Sequence, residues 1–514
     1  MTPQHSSSTP LRWLAAECRS LPRRAFTRAT LPWWSILLAL AAGTALRIFF
    51  VLVYPAVNGD STVYGSIAKN LLVHHLYALG TPPSPTLIRL PGYPFFLALI
   101  FKLFGLMNYN PSRYIQLVID LISCLLIFGF VHDHASRRAA HSALWFAALC
   151  PFTANYVATP MTETFSIFCV ALGLFAAGRL IRELCAQERM PWSYLLLIAT
   201  ALSCAILFRP DGGLLAVVIL PSIWWYTHRN PSGVGNRSWL TSLRAPLLCA
   251  LLVALPFVPW TIRNYRVFHI IQPLAPRFAT DPGDSTHPGY MRWTRTWLVE
   301  YVSTPDIFWK GDDEPLDIHL LPSRAFDSPQ QYRQTEQIFS DYNNNCIITP
   351  ASGDQPEQAR CKIIPEFDAR FAALAEQRIR SAPIRFYVTL PLARVADMWL
   401  RPRTEQVEYP SAFEQYISEV PARWWEWREH PEGSAVAFGF GLLNAALLLL
   451  AIIGFARRRV PLAGMLSAYL LVRSLLLATL ENAEPRYTLE AFPILIIAAT
   501  MALTPRPATF LKPL

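Results

Sequence analysis

Four arginines, Arg89, Arg209, Arg263 and Arg486, stand at or just beyond the ends of apolar stretches, on the membrane face where basic residues are normally scarce. They come from four separate parts of the chain. A guanidinium there needs an anionic partner, and phosphate supplies one through paired, charge-assisted hydrogen bonds. Taken singly, each arginine is better read as snorkelling or as pairing with an acid such as Asp211 or Glu484. The four together favour a phosphate carried by a lipid. Two carboxylates share that face: Asp60, in NGDS after the first apolar stretch, and Glu163, in TPMTETF at the opening of the fourth. Each alone reads as an acid at a helix N-terminus, favoured by the dipole by roughly 0.3–1 kcal/mol. Beside phosphate-binding cations, such a carboxylate can take the proton from an attacking hydroxyl. Asp120, inside an apolar stretch, is costly in lipid unless paired, and Arg47 is its candidate partner.

The elements that would position these residues are membrane spans. Of 514 residues, 53% are hydrophobic and only 16% charged, against about a quarter charged in an ordinary soluble chain. The net charge of +10 does not indicate nucleic acid, because the arginines flank apolar runs instead of forming one basic face. A helix needs about 20 apolar residues to cross the hydrocarbon core. Ten windows qualify: 32–54, 113–131, 139–158, 162–181, 192–208, 212–228, 245–262, 436–455, 461–479 and 487–503. The stretch 91–106 is short, opens with two prolines and contains Lys102, and is expected to be interfacial or re-entrant. If it does not span, the basic tail and the clusters at 132–138, 179–189, 228–244 and 457–459 all fall on one side. The positive-inside rule makes that side the cytoplasm, with both termini there.

The expected organisation is a cytoplasmic basic tail, 1–31; an N-terminal transmembrane module, 32–265, with a first outer loop at 55–110; an extracytoplasmic domain, 266–435, with an interfacial helix near 384–400; C-terminal spans, 436–503; and a cytoplasmic tail, 504–514. The outer loop should carry an amphipathic helix starting near Ser61, and the outer domain a helix at 366–381. WWEWRE at 424–429 reads as an interfacial aromatic anchor. Cys346 and Cys361 are the only two of nine cysteines on the outer face, where a disulfide between them is plausible. No Cys/His spacing suggests a metal, and no glycine motif suggests a nucleotide, so neither metal nor cofactor is expected.

An ordered set of landmarks resembles a known superfamily. Asp60, Tyr64, Ala68, Asn70 and Leu71, followed by Arg89-Leu-Pro-Gly-Tyr-Pro, is similar to the first outer loop of the lipid-phosphate-sugar-dependent glycosyltransferases of the GT-C fold. These include the protein O-mannosyltransferases (glycosyltransferase family 39) and the aminoarabinose transferases. Thr162-Glu163, Phe208-Arg209-Pro210-Asp211-Gly212, Pro259-Trp260-Thr261-Ile262-Arg263-Asn264-Tyr265 and Glu484-Pro485-Arg486-Tyr487 resemble later landmarks in the same order. Members often carry two adjacent acids in the first loop, whereas here Asp60 is followed by Ser61.

The resemblance implies the GT-C fold for the α-helical polytopic membrane protein read above, with about 10 transmembrane helices, interfacial helices and a mixed extracytoplasmic domain; the Arg-rich, Lys-poor composition fits a bacterium, and so its inner membrane. It implies an inverting, metal-independent transfer of a hexose or pentose from a polyprenyl-phosphate donor to a hydroxyl of an unknown protein, lipid or glycan acceptor. Asp60 and Glu163 would be catalytic, Arg89, Arg209, Arg263 and Arg486 would bind the donor phosphate, and Tyr64 and Tyr487 would position acceptor or sugar. The competing readings are a lipid or sugar transporter or flippase, a membrane scaffold, and an oligosaccharide ligase using a lipid diphosphate. A transporter ordinarily shows internal repeats, and none is visible.

Overall fold

All ten apolar windows are mainly helical, some of them with breaks, because a backbone in hydrocarbon must satisfy its own hydrogen bonds. The computed structural model describes residues 33–186, 191–228, 239–301, 303–349, 358–407, 431–457 and 460–504. The readings of the tail 1–31, of WWEWRE at 424–429 and of the chain beyond 504 lie outside them.

The principal helices, in chain order, are α1 (Trp34–Val53), α2 (Gly59–Val73), α3 (Gly92–Phe104), α4 (Asn110–His134), α5 (Arg137–Ala148), α6 (Glu163–Ala186), α7 (Trp192–Phe208), α8 (Gly213–His228), α9 (Arg244–Ala254) and α10 (Phe257–Phe268). They continue as α11 (Pro288–Thr294), α12 (Pro329–Asn344), α13 (Pro365–Ser381), α14 (Leu390–Leu400), α15 (Pro431–Ala456), α16 (Ala463–Ala478) and α17 (Phe492–Leu503). Short helical turns and two small antiparallel hairpins lie between them, the hairpins pairing Ala78–Leu79 with Ser84–Pro85 and Ile347–Thr349 with Gln358–Arg360. Among the described residues, five helices are long and apolar enough by themselves to cross a membrane, and a sixth span results if the pair Trp239–Ala254 and Phe257–Phe268, bent by 42°, is counted as one. The remaining windows hold shorter helices. The chain is a polytopic helical membrane protein.

The window 139–158 is not one helix. It breaks after α5, continues as a short turn at Pro151–Ala154, and ends in a 3-10 turn at Asn155–Ala158. A broken span needs outside donors for its carbonyls. Arg47, fully buried in α1, donates to Ala148 O at 2.7 Å and to Gly43 O at 2.8 Å, and is bonded to Asp120 Oδ2 at 2.7 Å. The intramembrane pair is therefore a structural device that caps the break.

Helix α3 has 13 residues, about 20 Å of rise against a hydrocarbon core of about 30 Å. Tyr93, Leu97, Ile100 and Phe101 are buried, while Phe95, Leu99, Leu103 and Phe104 are exposed on the opposite stripe. It approaches α7 closely: a Cβ on Gly92 would lie 2.7 Å from the Leu207 carbonyl oxygen, so only glycine fits there.

The chain divides into two compact units. The first comprises 1–282, 446–471 and 489–514; the second comprises 283–445 and 472–488. The first keeps residues 266–282 with the N-terminal helices, through contacts such as Leu87 N–H to Asp281 Oδ1 at 2.8 Å. The second has an aromatic core of Tyr290, Trp293, Trp297, Phe339, Tyr342 and Phe371. Its helix α13, Pro365–Ser381, covers the expected 366–381, and a disulfide joins Cys346 to Cys361. Helix α14 and the turn before it leave Ile384, Tyr387, Leu392 and Leu400 exposed while Arg394 is buried, an inverted pattern for a helix facing water.

Candidate active site

Asp60 lies in the first turn of α2, one position later than the helix start and two after the cap. Asn58 is the cap: its side chain accepts from Ser61 N–H at 2.9 Å. This frees the Asp60 carboxylate for a side-chain partner, and Arg89 Nη2 donates to its Oδ1 at 2.8 Å. Glu163 opens α6 and is buried, with Arg209 Nη1 2.9 Å from its Oε1. Arg209, in the turn between α7 and α8, also lies 3.1 Å from Asp211 and 3.3 Å from Glu490. Burial opposes the charge on Arg209, but Asp211, Glu490 and Glu163 outweigh it and hold the guanidinium charged well above its ordinary range.

Tyr64 connects the two ion-pair groups. It stands one turn after Asp60 on α2, is buried, and packs edge-on against Tyr93 with ring centroids 5.0 Å apart. Burial raises its hydroxyl, and Arg89, Asp60, Glu163 and Arg209 all lie within electrostatic reach of it. Arg89 also sits over its ring at 5.8 Å. The structure thus brings Asp60, Glu163, Tyr64, Arg89 and Arg209 around one place in the first unit.

Arg263 is in the same unit but turned to the backbone. Its Nη1 donates to Thr86 O and its Nη2 to Tyr77 O, each at 2.8 Å. The rings of Tyr77, Trp260 and Phe268 surround it at 5.3 Å. Tyr77 in turn donates its hydroxyl to Arg89 O at 3.0 Å. Arg263 braces the loop that carries Arg89.

Arg486 and Tyr487 belong to the second unit. There Arg486 is paired with Glu484, whose Oε1 also accepts from Tyr487 OH at 2.6 Å and from Asn482 Nδ2 at 2.6 Å. Among the described residues, no group of three or more His, Cys, Asp or Glu side chains is arranged to hold a metal ion. Sequence reasoning missed Glu490, Tyr77 and Asp281. Glu490 could have been noticed as an acid inside the last apolar window, 487–503; the other two carry no sequence signal.

Residues 84–262 match the family model of dolichyl-phosphate-mannose-protein mannosyltransferases, a GT-C glycosyltransferase family. That region includes Arg89, Glu163 and Arg209. In overall fold the chain is similar to the archaeal oligosaccharyltransferase AglB from Archaeoglobus fulgidus, solved with an inhibitory peptide and a dolichol-phosphate, at 13% identity and a TM-score of 0.46, covering 92% of this chain and 50% of that one. It is also similar to ArnT from Cupriavidus metallidurans, solved bound to undecaprenyl phosphate, at 12% identity and a TM-score of 0.39, covering 92% of this chain and 77% of that one. The chain therefore spans about half the length of the archaeal enzyme. No curated protein matches it in sequence.

Proposed function

We propose that this protein is an integral membrane glycosyltransferase that moves a sugar from a polyprenyl-phosphate donor to an acceptor hydroxyl on the extracytoplasmic face, with inversion and without a metal. The observation that carries this reading is the Asp60–Arg89 pair, a carboxylate and a cation in direct contact beside Glu163, Tyr64 and Arg209.

In the reaction, the acceptor hydroxyl oxygen attacks the anomeric carbon from the face opposite the phosphate. Asp60 takes the hydroxyl proton, the bond from the anomeric carbon to the phosphate oxygen breaks, and the lipid phosphate leaves with that electron pair. Arg89 stabilises the charge growing on the phosphate. Arg209 is already engaged by Glu163, Asp211 and Glu490, so its part is to fix Glu163 for contact with sugar or acceptor. Tyr64, whose hydroxyl holds its proton more firmly because it is buried, offers that hydroxyl to the same space. Arg263 supports Arg89 through the loop backbone.

The test is release of free polyprenyl phosphate from a polyprenyl-phosphate sugar by the full chain in membranes, comparing wild type with Asp60→Asn. Turnover by wild type that collapses in the inserted, folded variant supports the reading. A fully active variant removes Asp60 as the base and transfers suspicion to Glu163. A parallel arm with a lipid diphosphate donor separates the ligase: turnover with that donor alone overturns the monophosphate reading.

A further inference from the structure

The two carboxylates of the proposed site stand on segments far apart in the chain. One follows α1 and leads through Ala56 and Asn58 to Asp60. The other is the non-α-helical end of the broken span, leading through Val157, Ala158 and Thr159 to Glu163. The backbone carbonyls on both sides need donors that their own segments do not provide.

One guanidinium serves both. Arg113, in the first turn of α4 and 7% exposed, donates Nε to Ala158 O at 2.7 Å and Nη2 to Ala56 O at 3.0 Å. Its third nitrogen, Nη1, is held by Asn110 Oδ1 at 2.5 Å. Gln116 follows on the same face of α4 and gives Nε2 to Val157 O at 3.2 Å and Thr159 O at 2.9 Å. The Gln116 oxygen accepts from Tyr93 OH at 2.6 Å, which orients the amide, and Tyr93 is the ring against which Tyr64 packs. The two segments also touch directly, with Asn58 Nδ2 against Met161 Sδ at 2.6 Å.

A planar fork with five N–H groups at fixed angles can bond carbonyls arriving from two directions at once, which an ammonium on a flexible stem does poorly. All three Arg113 nitrogens are taken up, by Ala158 O, Ala56 O and Asn110 Oδ1, so its chemistry here is support. We propose that Arg113 is a positioning residue that straps the Asp60 segment to the Glu163 segment and so sets the spacing between the two carboxylates. The strap rests on the transferase reading only for its catalytic meaning.

The test uses the full chain in lipid nanodiscs. Cysteines introduced as Asn58→Cys and Met161→Cys are oxidised mildly, and the 58–161 cross-linked peptide is followed by mass spectrometry. Replacing Arg113 by Lys in that background should slow cross-linking about tenfold, because loosened segments lose effective concentration. An unchanged rate overturns the strap. Hydrogen exchange without any cysteine change gives a second reading: Arg113→Lys should accelerate exchange in residues 56–61 and 156–162 together, and acceleration in one segment alone overturns the proposal. With a turned-over donor, Arg113→Lys should lower kcat by about 10- to 100-fold with KM for donor within about twofold, since misplacing a catalytic group by 1 Å can cost that much. A rise in KM with kcat unchanged would contradict the positioning role. If the cross-linking and exchange results hold while no lipid-phosphate sugar is consumed by wild type, the transferase reading fails and the strap stands.

Discussion

Arg89 Nη2 lies 2.8 Å from Asp60 Oδ1, and both side chains are about one-quarter exposed, at 23%. In the resting protein each group neutralises the other. A phosphate arriving at Arg89 competes for the guanidinium and leaves Asp60 free to accept a proton. In the proposed mechanism this couples cation and base: the base would be released where the leaving group binds. Asp60→Asn should lower kcat by about 10²- to 10⁴-fold, the usual worth of a positioned general base, while donor binding, read by equilibrium titration with a polyprenyl phosphate, persists. Arg89→Met should weaken that same binding.

Arg209 has the opposite character. Its side chain is 13% exposed and holds Glu163, Asp211 and Glu490 together. Removing it leaves three neighbouring acids without their shared cation. Arg209→Met should destabilise the protein by about 3–5 kcal/mol, as breaking a buried ion pair does. Thermal unfolding in detergent measures this, and a variant as stable as wild type would show that the acids are relieved in another way.

In the second unit the Cys346–Cys361 bond spans 15 residues of sequence. In the chain-entropy account a loop of that size contributes about 3 kcal/mol by restricting the unfolded chain. Reducing agent, or Cys346→Ser with Cys361→Ser, should lower the melting temperature accordingly and leave the Asp60 environment unaltered.

Asp327 gives a pH dependence. Arg385 grips both of its oxygens, at 2.7 and 2.8 Å, and Arg378 stands at 3.2 Å. The Arg385 hydrogen bonds, ahead of the charge of Arg378, hold the carboxyl below its ordinary 3.8. A carboxyl with a depressed folded-state pKa contributes stability that is complete above its unfolded pKa and disappears as pH falls through the folded one. Melting temperature should therefore fall below about pH 4, and Asp327→Asn should lose stability at neutral pH and flatten that fall.

The spans were legible because apolar length is a local property: each of the ten windows could be found without knowing its neighbours, and each is mainly helical. The break within 139–158 was not, since the donors that permit it come from α1 and α4. Asp60 and Glu163 were visible as acids at helix starts, and their partners Arg89 and Arg209 were visible as outward arginines. What could not be read was which arginine met which partner. Arg263 has the same residue type and the same sequence setting as Arg209, yet it bonds Tyr77 O and Thr86 O, carbonyls that advertise nothing in the sequence. Glu490 reaches Arg209 from near the far end of the chain. Arg113 and Gln116 read simply as polar residues at the mouth of a span.

Arg47 has a bearing on how the protein is made. It enters the membrane within the first span, yet Asp120 and the carbonyls of Ala147 and Ala148 that satisfy it are translated more than seventy residues later. Until then the first helix carries a lone cation, a cost of about 2.5–3.5 kcal/mol on insertion scales. Stable insertion of that helix is therefore expected to wait until α4 and α5 emerge. The first three windows of the chain are then expected to settle into the bilayer together, and a ribosome stalled before residue 120 should leave the first helix poorly anchored.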